Sequence, residues 1–331
     1  MVVMVLEARK LYPERGELPT ILKEDSNVVM GIASSSLGAV VKTFSSSSAI
    51  ANRIKTIGFI TPEAKPFFFT GGLGDVGGEL PMALSDNGLD VSIFTYKYSA
   101  IDPSLLEDTG VTCITKIDHY NLPTKIWTAQ NGKVTYYFLE VANWFKEAYS
   151  GDKLNFAMGL SEGTFRAIEA LVYAGKMLNP QVLHANDWPA SLVPLFLNVK
   201  YDRHPLFKDT ASVFTIHNPR HIADWMPGYR FSELGIGGEH WFGLVQPNSQ
   251  NNFCLMRGAV YHADKLNAVS KNNRNEMLMP EGGIILYQDY RARVADFLGI
   301  NNGIYYPVWE PISLNEKPAL KAVMQKKSGF R

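Results

Sequence analysis

The sequence predicts an α/β fold in which helices cover a parallel sheet, and three observations lead there. Short β-branched and apolar runs alternate with segments whose apolar residues recur at helical spacing, the signature of strands joined by crossover helices. A glycine-rich turn stands between an early strand and the helix that follows it. With 331 residues, 46% of them hydrophobic and 19% charged, the chain can bury a substantial core.

The elements follow in order. Residues 1–53 read as a leader ahead of the fold. From Ser26 to Pro62 there is no acidic residue, and Ser45 to Ser48 form a serine run before Arg53, a composition like that of an organelle transit peptide. Glu7, Glu14, Glu17, Glu24 and Asp25 upstream speak for a plain flexible leader instead.

Residues 54–312 are predicted as the folded domain, and 313–331 as a terminal helix or linker. Lys55–Ile60 is the first predicted strand, and a helix follows from about Asp75 to Asn87. Asp90–Tyr96 and Val111–Ile117 are strands, as is Lys133–Glu140, which is expected to be half exposed. Phe165, Ile168, Leu171 and Val172 place an amphipathic helix over Glu162–Leu178. Gln181–His184 is a brief buried strand. Leu192, Leu195, Phe196 and Val199 lie on one helical face, with Pro189 suited to the first turn. Ala211–Ile216 and Leu266–Val269 complete the predicted strands.

Composition excludes some classes of partner. The 32 basic and 32 acidic residues cancel, so neither nucleic acid nor an anionic membrane is implied. Val28–Val41 is too short and too serine-rich to span a bilayer. Two cysteines, Cys113 and Cys254, make neither a disulfide scaffold nor a metal site, and read as buried thiols in a reducing compartment.

The strongest local signal is Thr70-Gly71-Gly72-Leu73-Gly74-Asp75-Val76-Gly77-Gly78-Glu79-Leu80-Pro81. Glycines ahead of a helix let the backbone approach a ligand and aim N–H groups at it, where the helix end adds partial positive charge. A phosphate is the natural guest. Gly72, Gly74 and Gly77 also satisfy a dinucleotide fingerprint, but the context fails. Ten residues separate Ile60 from Gly71, and the next strand ends Thr95-Tyr96-Lys97 without the acid that a ribose requires. For Gly77 and Gly78, tight packing of helix on sheet is the plainer reading.

With this loop the chain begins to resemble glycosyltransferase family 5, the starch and glycogen synthases. Further blocks in the same order extend the likeness: Val182 to Trp188, Val213 to Asn218, and Arg257-Gly258-Ala259 with Ala263-Asp264 and Val269-Ser270. Gly299 to Ile304, with Trp309 and Pro311, is weaker. The resemblance implies a single Rossmann-like domain corresponding to the amino-terminal half of a GT-B glycosyltransferase. Such enzymes extend α-1,4-glucan from ADP-glucose or UDP-glucose without a separate cofactor or metal. It further implies a cytoplasmic or plastid setting.

The resemblance also assigns positions. Thr70, Gly71, Gly72 and Leu73 become the donor-phosphate loop. Glu162, His184, Asn186, Asp187, Trp188, His217 and Asn218 become the sugar and acceptor side. Simpler readings stand beside these: a helix N-cap for Asp187, a core histidine for His184, and a first-turn carboxylate for Glu162. Departures are plain too. Phe69 occupies the position of a family lysine, and Lys65, four residues earlier, is not placed by sequence to substitute. The family's nucleotide-gripping second domain, expected to follow the Asn315–Phe330 helix, would supply the cations that stabilise a departing diphosphate. Three readings therefore remain open: one part of a glucan synthase, completed by a separate nucleotide-binding domain; a non-catalytic module that binds α-glucan or a synthase partner; or a structurally intact relic with no ligand.

Overall fold

The computed structural model describes residues 54–305 and 315–328, so the predicted leader and the boundary at residue 312 lie outside the described residues. The chain divides into two compact units, one ending at Asn301 and one beginning at Asn302.

The first unit is built on a nine-stranded sheet of order β12-β11-β7-β6-β1-β2-β5-β4-β3. Its strands are β1 Thr56–Ile60, β2 Asp90–Tyr96, β3 Glu107–Ile117, β4 Tyr120–Asn131, β5 Val134–Val141, β6 Val182–Asn186, β7 Ala211–Ile216, β11 Lys265–Ala268 and β12 Phe297–Gly299. Pairing is parallel from β12 across to β5, and antiparallel where β4 and β3 fold back at the edge. A separate three-stranded sheet orders β8 Met226–Pro227, β10 Ser249–Phe253 and β9 Val245–Gln246 as β8-β10-β9. The unit's longer α-helices, of seven residues or more, are α1 Gly72–Asp86, α2 Lys153–Tyr173, α3 Leu192–Val199, α4 Leu255–His262 and α5 Lys271–Met277.

Strands β1, β6 and β7 are buried at every residue, as strands inside a sheet covered on both faces are. Phe59, Phe94, Phe138 and Phe214 lie at the centre of the core. Tyr96 joins them, and its hydroxyl donates to Phe156 O at 2.7 Å, which removes the cost of burying it.

Several sequence expectations need correction. Helix α1 starts at Gly72 rather than Asp75, so half of the glycine turn is itself helix. Helix α2 begins nine residues earlier than Glu162, because the Asp152 carboxylate caps it by accepting from Asn155 N at 2.9 Å. Its end falls at Tyr173, where Gly175 turns the chain at φ +66. Strand β5 is mostly buried, not half exposed, because it lies inside the sheet between β2 and β4. Pro189 sits in a separate 3-10 turn, Trp188–Ala190, ahead of α3. The second unit contains the helix Lys317–Ser328.

Candidate functional site

Strand order reverses between β1 and β6: the chain moves outward from β1 to β2 on one side, and from β6 to β7 on the other. Such a switch point opens a crevice outside the carboxyl ends of the two strands. The glycine turn follows β1, and Asn186-Asp187-Trp188 closes β6, so both sequence blocks reach that crevice.

The glycines divide by task. A Cβ on Gly77 would lie 2.2 Å from Glu63 O, and one on Gly78 would lie 2.8 Å from Lys65 Cβ. One on Gly74 would meet Phe69 Cβ at 2.3 Å. These three let α1 press against the segment that leaves β1. Around Gly71 and Gly72 no atom lies within 4 Å of a built Cβ. Those two face open space, as a ligand turn requires.

Sequence reasoning missed Glu63, which is 3% exposed. Its carboxylate accepts from Thr70 N, from Thr70 Oγ1 at 2.8 Å, from Gly71 N at 3.1 Å and from the Tyr149 hydroxyl. Four donors offset the cost of burying an acid. Two N–H groups expected to face a phosphate are thus bonded to the protein itself. The N–H groups of Gly72 and Leu73 open the helix, ahead of its first internal bond. Tyr149 was missed as well. It lies in a loop at φ +58, and burial beside Glu63 pushes its hydroxyl's pKa well up. No sequence pattern marks either residue.

On β6, Asn186 is fully buried. Its Nδ2 donates to Ile60 O at 3.1 Å and to His184 O at 3.2 Å. This fixes Oδ1 as the acceptor facing His217 Nε2, 3.1 Å away. His217 is held down to about 4 by burial, so at neutral pH its imidazole is uncharged. The assigned tautomer therefore carries the proton on Nε2 and leaves Nδ1 as an acceptor.

Asp187 stands at the N-cap position of the 3-10 turn Trp188–Ala190, but its side chain makes no capping hydrogen bond. Its backbone takes φ +54, an uncommon conformation for a residue with a side chain, and its carboxylate crosses to the end of β7. There Oδ1 accepts from His217 N at 2.7 Å and Asn218 N at 3.3 Å. Burial pushes Asp187 up to about 7, opposed by these two N–H groups and reinforced by the charge of Glu63. Asn218 also turns its own loop, its Oδ1 accepting from Arg220 N at 3.0 Å. Trp188 packs near Phe156 and Tyr149 with ring centroids 5.7 and 6.2 Å away.

The side chains of two further predicted residues bond outside this cluster. His184 is a core histidine: it meets Phe59 edge-on at 4.8 Å, places Nε2 2.7 Å from Thr215 Oγ1, and is held down to about 3 by burial. Glu162 is not in a first turn but deep in α2, 1% exposed. It accepts from Arg166 Nε and Lys200 Nζ at 3.1 Å each and from the Tyr201 hydroxyl at 3.0 Å. It ties α2 to the end of α3, and its bonds join none of the crevice residues. Among the described residues, no group of three or more His, Cys, Asp and Glu is placed to hold a metal ion.

A family model described as the starch synthase catalytic domain matches residues 56–292. The chain belongs to the starch synthase catalytic domain family. It is 36% identical over 260 residues to glycogen synthase 1 of Geobacter sulfurreducens, covering 75% of this chain and 51% of that protein. With a glycogen synthase of Anaeromyxobacter sp. (strain Fw109-5) it shares 30% identity over 288 residues, which is 82% of this chain and 59% of the relative. The chain thus spans between half and three-fifths of the length of these curated relatives. The catalytic domain of starch synthase IV from Arabidopsis thaliana, solved bound to ADP and acarbose, aligns with a TM-score of 0.68 at 24% identity. The alignment covers 79% of this chain and 54% of that one. The fold of this starch-synthase-type domain is that of a GT-B glycosyltransferase domain.

Proposed function

We propose that this domain forms the acceptor and phosphate-loop side of an enzyme that elongates α-1,4-glucan from a nucleotide-glucose donor, ADP-glucose or UDP-glucose. The supporting observation is the convergence, at one switch point, of an open Gly71-Gly72 turn and the Asn186–Asp187–His217 cluster. The turn suits a diphosphate, and the uncharged imidazole, amide and carboxyl groups suit sugar hydroxyls. Transfer leaves negative charge on the diphosphate, which must meet fixed cations. The half-exposed Phe69 ring offers none, so turnover requires a nucleotide-gripping domain. The setting we infer is reducing, cytoplasm or plastid, since Cys113 and Cys254 are both free thiols.

Two features favour a second reading, a glucan-binding module without catalysis: Phe69, and the occupation of Thr70 N and Gly71 N by Glu63. One pair of assays separates the two. Co-sedimentation with amylopectin should retain the chain under either reading, and failure to co-sediment with it would leave neither standing. ADP release coupled to glucan growth, on addition of a separate nucleotide-binding domain, selects the enzyme; retention without any release selects the module.

A further inference from the structure

We propose that Lys65 is the side chain that receives the diphosphate of a nucleotide sugar at the glycine turn. This rests on the reading of Gly71 and Gly72 as the donor-phosphate turn, and adds the cation that such a turn needs. In sequence, Lys65 lies six residues before Gly71. In space, the segment doubles back. Ala64 N donates to Phe68 O at 2.8 Å and Lys65 N to Gly74 O at 3.1 Å, which lays Lys65 along the first turns of α1. Its ammonium lies 4.5 Å from the centroid of the Phe69 ring and pairs with Asp75, in the first turn of the same helix.

Both members of that pair are partly exposed, 30% for Lys65 and 35% for Asp75, so water screens the bond and little free energy is lost when it exchanges. An ammonium on a flexible four-carbon stem can turn between acceptors without moving the backbone. The Phe69 face holds the charge beside the turn without neutralising it. A diphosphate, with more charge than one carboxylate, would displace Asp75. Since Glu63 already accepts from Thr70 N and Gly71 N, the attraction left for an anion comes from the helix start and from this lysine.

The test titrates the full 331-residue chain with inorganic pyrophosphate and then with ADP, following the amide signals of Gly71 and Gly72 by NMR. Lys65→Gln should weaken binding about tenfold, the loss of one charge-assisted contact. Lys65→Arg should restore most of it. Asp75→Asn should tighten binding several-fold, because the competing carboxylate is gone. A gain of the same size when Lys65 is also changed to Gln would be the loss of a repelling charge alone and would overturn the role of Lys65. Equal affinity in the wild type and Lys65→Gln overturns the role of Lys65 and leaves the turn intact as a site. Unmoved Gly71 and Gly72 signals in both the wild type and Asp75→Asn overturn the turn itself, and this proposal with it. Thermal unfolding checks each variant. Should Lys65→Gln fail to fold, Lys65→Met, which keeps the apolar stem without the charge, takes its place.

Discussion

At the scale of single residues, two buried acids set the site. Glu63 gathers two backbone N–H groups and two hydroxyls, so Glu63→Ala strands all four. The expected loss is about 2–3 kcal/mol, discounted because water reaches the half-exposed turn. Urea unfolding measures it, and a change under 0.5 kcal/mol, roughly the scatter of neutral surface substitutions, would dismiss the brace. Asp187 acts through pH. Held at about 7, it keeps its proton in the folded chain where the unfolded chain, near 3.8, has released it. Its contribution to stability is whole below the lower value and is lost as pH rises through the upper one. His184 and His217 run the other way. Folded, they stay uncharged down to about 3 and 4, whereas the unfolded chain takes up protons near 6.5. Their contribution is whole above 6.5 and is lost as pH falls toward those folded values. Asp187→Asn removes only the first effect. The variant's urea midpoint should climb to pH 6.5 and then stay level to about pH 8, while the wild type declines above pH 6 by about 1–2 kcal/mol. A wild-type profile that stays level there sinks the argument.

At the scale of elements, the glycine turn and α2 make opposite demands. Gly77→Ala forces a methyl into Glu63 O and should destabilise the fold by about 2–3 kcal/mol, whereas Gly71→Ala should leave the unfolding midpoint unchanged. Equal effects of the two in a denaturant titration would contradict the division of labour among the glycines. Helix α2 supplies a second comparison. Glu162→Gln removes the charge that faces Arg166 and Lys200, and should cost about 1–2 kcal/mol, since both cations are partly exposed. Retention on amylopectin should be unchanged; a selective loss of retention with an intact midpoint would return Glu162 to the sugar side. Legibility also differed by element. Asp90–Tyr96 and Ala211–Ile216 were readable to the residue, because a strand covered on both faces is short and dense in apolar and β-branched residues. Strand β4 was not. It carries Asn121, Pro123, Lys125 and Gln130 at exposed positions, so no apolar run announces it. The three-stranded sheet escaped notice because two of its strands have two residues each.

At the scale of the whole molecule, sequence blocks located the crevice but not what braces it. Gly71, Gly72, Asn186, Asp187 and His217 sit in motifs, and topology brings those motifs to one end of the sheet. Glu63 and Tyr149 are 86 positions apart and meet only through tertiary structure, so no spacing reveals them. The same holds for the reach of Lys65 to Asp75 across a folded-back turn. One amide has a consequence for how the molecule meets its ligand. Asn186 bonds the last carbonyl of β1 and the imidazole beyond β7 together, so the carboxyl ends of these two strands are held at a set spacing. A guest that touched both the glycine turn and the His217 loop would meet two anchors whose separation a single amide sets.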